Sequence, residues 1–259
     1  MLVTTYSELG EFVDMFAKQY IDLLIVKGDP GLGKTHTIRN IMKNYNHVYI
    51  NTHITPLSAY ILLYNNRDRP VIIDDIDALL NNEKLVSLLK QAGETVKEKT
   101  LQWHSTKLPE EIEPEFKTRS NLLIVCNDIN TKRVALFDRG FQIEFRPSKE
   151  EVLRKLEEIT EIIDLEGKYD VLNLIKKFYD FSEKVNLRTL IKGFQLRRYG
   201  NSWENKLLRE MNIHPKLILV YELLQKYDKV EDAVREYPYS RSDFFNWKKK
   251  LGGGVDGKV

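Results

Sequence analysis

The sequence predicts an α/β protein: a three-layer αβα sandwich around a mostly parallel five-stranded sheet, followed by a helical lid and a C-terminal helical region. Three observations carry that expectation. Over residues 1–147, short apolar runs alternate with amphipathic stretches, as strands buried on both faces beneath crossover helices do. Beyond Pro147 apolar residues recur at three- and four-residue spacing and no strand pattern intervenes. Between the first clear apolar run and the first amphipathic stretch lies a glycine-rich segment, Gly28–Thr35, at a strand-to-helix junction.

The elements follow in order. Leu23–Lys27, His47–Asn51, Val71–Asp74 and Leu122–Asn127 read as strands, with Gln142–Arg146 as the fifth. Helices are expected at Lys34–Lys43, Pro56–Tyr64, Glu83–Ala92 and Lys132–Phe137, each lying between strands as right-handed crossovers require. Ser148, with Glu151 three residues on, has the spacing of a capping box and opens the helical part, Glu150–Ile163, Val171–Phe181 and Leu187–Leu196. Gly200-Asn201 breaks the pattern, and a second helical stretch runs to about Leu251, with a tail from Gly252 expected to be flexible. The domain plan is therefore 1–147, 148–200 and 201–259.

Composition narrows the class. With 259 residues, 42% hydrophobic and 30% charged, the chain can bury a sizeable core in more than one folding unit. No apolar run approaches the roughly 18 residues needed to span a bilayer, and the first residues lack the basic flank and apolar stretch of a signal peptide, so a cytoplasmic location is expected. Cys126 is the single cysteine and ends an apolar run, which excludes a disulfide framework and a cysteine-based zinc site. His104 has no other His or Cys at ligand spacing. A net charge of +2 decides nothing about partners, because 40 basic and 38 acidic residues nearly cancel and only local clustering can point to nucleic acid.

The chemistry sits in Gly28-Asp29-Pro30-Gly31-Leu32-Gly33-Lys34-Thr35, which satisfies G-x-x-x-x-G-K-[ST] in its required context. Glycines let successive backbone N–H groups turn towards phosphates, and the following helix, through His36, points its positive end at them. Lys34 reaches the β- and γ-oxygens and the Thr35 hydroxyl ligates magnesium, so ATP with Mg2+ is the expected ligand. The metal's outer carboxylate comes from the end of a neighbouring strand, and Val71-Ile72-Ile73-Asp74-Asp75 has that form. Asp74 is the magnesium candidate, while Asp75 stands where a base polarises the attacking water or simply caps a helix.

Together with three later residues these motifs resemble the AAA+ ATPases over roughly Leu23–Gln195. The resemblance implies a sensor-1 role for Asn127, which ends an apolar strand, and an arginine finger within Ala135-Leu136-Phe137-Asp138-Arg139-Gly140. Arg139 is the candidate to serve a neighbouring subunit's γ-phosphate, with Arg133 and Arg119 as alternatives. Arg188, opening the third lid helix, matches the sensor-2 position, and Asn51 or Thr52 the polar residue that restrains the catalytic carboxylate. The family usually places Glu where this chain has Asp75, one methylene shorter, which leaves slow hydrolysis, a repositioned water or recruitment of Asp77 open. The resemblance also implies a homo-oligomer, a ring or open ring such as a hexamer, with ATP at subunit interfaces.

The expected partner is DNA. Val230–Tyr237, a Pro238-Tyr239-Ser240 turn and Arg241–Leu251 have the proportions of a helix-turn-helix. Its second helix carries Arg241, Asn246, Lys248, Lys249 and Lys250 beside Phe244, Phe245 and Trp247, so a basic face meets phosphates while aromatics pack inward, or the lysines merely complement the helix dipole. Trp103, in Thr100–Lys107, either stacks on a nucleobase or packs on its domain. That segment resembles a Trp-containing turn of AAA+ proteins from phages and other mobile elements. Two functions follow: an ATPase that loads onto, remodels or translocates nucleic acid, or a nucleotide-gated DNA-binding or assembly switch with little turnover. A P-loop kinase is disfavoured, since no arginines for clamping a second substrate are evident in the main domain.

Overall fold

The computed structural model describes residues 1–51, 54–75, 82–127, 139–182, 184–200 and 202–253. The chain forms two compact units, Met1–Glu151 and Val152–Val259. In the first, the strands are β1 (Leu2–Val3), β2 (Leu23–Lys27), β3 (Val48–Ile50), β4 (Val71–Asp74), β5 (Lys99–Gln102), β6 (Glu115–Thr118), β7 (Leu122–Cys126) and β8 (Phe141–Phe145). Six of them build one sheet in the order β1-β8-β2-β7-β4-β3, every neighbouring pair parallel, while β5 and β6 form a separate antiparallel pair. The expected five strands are corrected to six: Leu2–Val3 adds an edge beside β8, and the Met1 ammonium donates to the Gln142 carbonyl at 2.8 Å. A two-residue strand is too short to show a period in sequence.

Helices α1 (Tyr6–Ala17), α2 (Lys34–Met42), α3 (Pro56–Asn65) and α4 (Glu83–Ala92) flank the sheet. Their starts are chemically marked. Thr5 caps α1 by accepting from the Glu8 N–H at 3.1 Å, Thr55 precedes Pro56 at the start of α3, and Asn82 accepts from the Lys84 and Leu85 N–H groups. The helix expected at Lys132–Phe137 lies outside the described residues. Strand alternation divides the core in two. Leu23, Ile25, Val71, Ile73 and Ile124 face residues of α3 and α4, whereas Leu24, Val26, Ile72, Leu123 and Val125 face Val13 and Phe16 of α1 and Ile38 and Met42 of α2. Each such side chain contributes about 1.5–3 kcal/mol when fully buried, far more than strand propensity alone supplies.

The β5–β6 hairpin seats Leu101 and Phe116 in the first of these clusters. It also buries Lys99, 1% exposed, whose ammonium donates to the Ser120 carbonyl at 2.7 Å and lies 3.3 Å from Asp22; burial lowers its pKa, against the pull of Asp22. Of the two roles expected for Trp103, packing is the one seen, with its ring 6.1 Å from that of Tyr60.

The helix α5 (Lys149–Ile162) starts in the first unit and continues into the second. Ser148 Oγ accepts from the Glu151 N–H at 3.3 Å, while the Glu151 carboxylate accepts from the Tyr6 N–H at 3.0 Å. The second unit continues with α6 (Lys168–Phe178), a 3-10 turn at Tyr179–Phe181, α7 (Leu187–Tyr199), α8 (Trp203–Glu210), α9 (Pro215–Lys226), α10 (Val230–Glu236) and α11 (Arg241–Gly253). Among its buried residues are Val171, Ile175, Phe178, Leu190, Leu207 and Val220. No helix of the described residues is long and apolar enough to cross a membrane.

Each unit holds a buried tyrosine with a measurable signature. Tyr60 is pushed from 10.0 to about 12, chiefly by burial, and Tyr221 likewise, with Glu204 adding to the effect. Because the folded pKa lies above the unfolded one, this stabilisation is complete below about pH 10 and is lost as pH climbs through about 12. Spectrophotometric titration should therefore show a late phenolate phase near pH 12, with the melting temperature falling across the same window. A single phase finished near pH 10 contradicts these environments.

Candidate functional site

The loop between β2 and α2 lies where strands of a parallel sheet end, the position in which such sheets bind ligands. Its glycines are required by geometry. Gly31 and Gly33 have φ of 85° and 83°, the left-handed region, and a Cβ on Gly28 would stand 2.5 Å from the Phe145 carbonyl oxygen at the end of β8. The Tyr6 hydroxyl donates to the Leu32 carbonyl at 2.8 Å and ties the loop to α1. Gly33, the N-cap of α2, offers no side-chain acceptor to the first turn of the helix. Asp29 and Pro30 are exposed, as is His36, which lies beside Asn40 one turn along α2.

Five residues from four stretches of the chain meet here. Lys34 is buried, 6% exposed, and its ammonium donates to the carbonyls of Gly28 and Asp29 and, at 3.2 Å, to Asn127 Oδ1. Asn127 follows β7, and β7 pairs with β4 in a register that sets Val125 opposite Asp74. The Thr35 hydroxyl donates to Asp74 Oδ2 at 2.8 Å. That same oxygen accepts a close hydrogen bond from Tyr49, a residue of β3 that the motifs do not point to. The Tyr49 hydroxyl is pushed up to about 12 by burial first and by Asp74 second, while Arg39, whose guanidinium lies 4.3 Å from the ring centroid, works the other way.

The donor set fits magnesium carried by a nucleotide. Thr35 and Asp74 are hard oxygen ligands already in contact, and no group of three or more His, Cys, Asp or Glu among the described residues forms a metal site of its own. Asp75 follows directly, exposed and in the left-handed conformation at φ 60°, which Asp tolerates better than most residues. Asp77, Thr52 and Arg133 lie outside the described residues, and Asn51 is exposed beyond β3.

Two expected residues of the first unit, Arg139 and Arg119, lie elsewhere, and Arg188 belongs to the second unit. Gly140 abuts Leu23, the first residue of β2, so Arg139 sits at the edge where strands begin. Five strand residues at roughly 3.3 Å each put it about 16 Å from the Gly28–Thr35 loop of the same chain, beyond a side chain's reach. Its guanidinium there donates to the Lys90 carbonyl at 3.2 Å and to Glu94 at 3.1 Å. Arg119 lies 3.7 Å from Glu98. Arg188 is exposed in the first turn of α7, where Asn186 and Thr189 complete a capping box.

The C-terminal helices are partly as expected. Phe244 is fully buried against Tyr237, but Phe245, about 100° further round the helix, stays 37% exposed. Trp247 stacks on His214 at 4.4 Å, with Lys250 4.0 Å from its ring centroid. Glu231 grips Arg241 through both guanidinium nitrogens at 2.7 and 2.9 Å, which neutralises the charge at the start of α11. The basic character of this helix therefore rests on Lys248, Lys249 and Lys250, the last two exposed.

No family model matches the sequence, and no curated protein does. Among solved structures, the chain is similar to a mutant of RuvB from Thermotoga maritima, with a TM-score of 0.51 over 97% of this chain and 92% of that one, at 13% identity. A likeness at that identity is one of fold alone: an αβα unit around a parallel sheet, followed by helices.

Proposed function

We propose that the chain is a Mg2+-dependent ATPase that works as a homo-oligomer, a ring or open ring such as a hexamer, with nucleotide at subunit interfaces. In this reading it loads onto, remodels or translocates nucleic acid in replication, recombination or packaging of a phage or other mobile element. The observation that carries the ATPase reading is the convergence of Lys34, Thr35, Asp74 and Asn127 beside the N-terminus of α2. Lys34 would hold the β- and γ-phosphates, and Thr35 and Asp74 would hold the ion. Magnesium, once bound with the nucleotide, neutralises charge on the phosphate oxygens. Asn127 and Asp75 orient the attacking water, and Arg188 reads the nucleotide state.

The position of Arg139 supports action in trans, because it stands at the edge of the sheet remote from its own loop. Contact with DNA is assigned to α10 and α11, through Lys248, Lys249 and Lys250. A second reading, a nucleotide-gated DNA-binding or assembly switch, draws support from Asp75, whose side chain is short for a base. Steady-state hydrolysis with and without single-stranded and duplex DNA separates the two. Stimulation by DNA is expected; slow turnover indifferent to DNA, with ATP-dependent complex formation, favours the switch.

Mixed subunits test the interface. Asp75→Asn subunits retain Arg139 and Arg139→Ala subunits retain Asp75, so each mixture contains some interfaces with both groups intact. A mixture should hydrolyse ATP several-fold faster than either variant alone, given that an arginine finger contributes roughly 10³–10⁵ in rate. Strict additivity, with both variants folded and assembled, removes the finger role from Arg139.

A further inference from the structure

Asp74 is held by two hydroxyl groups, and only one belongs to the phosphate loop. Strand geometry explains the other. Ile50 and Val48 face the α3–α4 side of the sheet, so Tyr49 between them faces α1 and α2, as do Ile72 and Asp74 on the adjoining strand. Tyr49 pairs with Ile72, which makes Asp74 its diagonal neighbour, at roughly 7–8 Å between backbones. A phenol spans that gap where a serine or threonine at the same place falls short. Arg39, one turn after Thr35 on α2, lies over the ring and restricts its rotation. The carboxylate oxygen that takes the Thr35 hydrogen is thus fixed from the opposite strand as well.

We propose that Tyr49 is a positioning residue for magnesium, setting the Asp74 carboxylate in its metal-ready orientation before nucleotide arrives. The proposal rests on reading Gly28–Thr35 as a nucleotide loop. A tyrosine that only packs beside the strand contributes to stability and leaves metal coupling alone. One that orients Asp74 contributes to the gain in affinity that Mg2+ brings, and leaves binding without metal, which Lys34 and the loop N–H groups provide, untouched.

Binding of a fluorescent ATP analogue by the full chain, in EDTA and in Mg2+, separates these roles. Tyr49→Phe keeps the ring, its packing and the Arg39 contact. It should bind the metal-free analogue as the parent does while losing about tenfold of the enhancement by Mg2+, and electron paramagnetic resonance with Mn2+ should show the same weakening. Full retention of the enhancement overturns the proposal, as does a parallel fall in both affinities. If Tyr49→Phe does not fold, Arg39→Gln decides: a selective loss of the Mg2+ enhancement supports the role and an unchanged enhancement overturns it. A parent chain that binds no nucleotide in either buffer defeats the nucleotide reading instead.

Discussion

Lys34→Ala should remove Mg-ATP binding under the proposed function, with an expected loss of at least about 100-fold in affinity and hydrolysis at background. The size follows from what the ammonium does. A hydrogen bond to a charged group contributes about 1.5–3 kcal/mol, and under the proposed function Lys34 would make more than one to the phosphates. Alanine suits the first turn of α2, so helix formation is not what fails. Lys34→Arg should not rescue the site, because the side chain is 6% exposed beside Gly28 and a planar guanidinium has neither the room nor the shape of an ammonium. Calorimetry on protein with an unchanged melting curve is the measurement; parental affinity in Lys34→Ala would falsify the assignment of this loop to phosphate binding.

Phe244→Ala should be the most damaging single truncation in the C-terminal helices. Its ring is fully buried, edge-on to Tyr237 at 5.3 Å, and Tyr237 in turn donates to Asp243 at 2.6 Å, so the ring and that polar contact share one small core. Removing a buried phenylalanine costs about 3–5 kcal/mol. For a unit of this size that corresponds to a fall of roughly 10 °C or more in its melting temperature. Phe245→Ala, one residue on and 37% exposed, should cost under about 1 kcal/mol. Equal destabilisation by the two substitutions, read by calorimetric melting, contradicts the helix orientation described above.

Legibility in the sequence followed burial. Leu23–Lys27, Val71–Asp74 and Glu83–Ala92 have the bounds expected of them, because two-sided burial writes an unbroken apolar run and Asn82 marks its helix start. The Gly28–Thr35 segment is a local motif, so its place between a strand and a helix could be read from spacing alone. Helix α1 also carries a signal, Thr5 as cap and Tyr6, Leu9, Val13 and Phe16 on one face, which a reading that starts at the motif passes over. The hairpin is harder: two four-residue strands, separated by a long polar turn, offer alternation too brief to stand out. Tyr49 could not be found at all without the register of β3 against β4, since nothing in Val48-Tyr49-Ile50 announces a partner on another strand. The same holds for Arg139, whose distance from its own loop depends on which end of β8 it adjoins.

The strand order has a temporal consequence. Among the six parallel strands only β3–β4 and β4–β7 are successive in the chain and adjacent in the sheet; β2 hydrogen-bonds to β7 and β8, which are made long after it. A ribosome therefore releases the Gly28–Thr35 loop early but without walls, since Asn127 and Phe145, which contact Lys34 and crowd Gly28, have yet to be translated. Until roughly the 145th residue has emerged, the nascent chain exposes an unpaired central strand, Leu23–Lys27, and depends on being shielded from its neighbours.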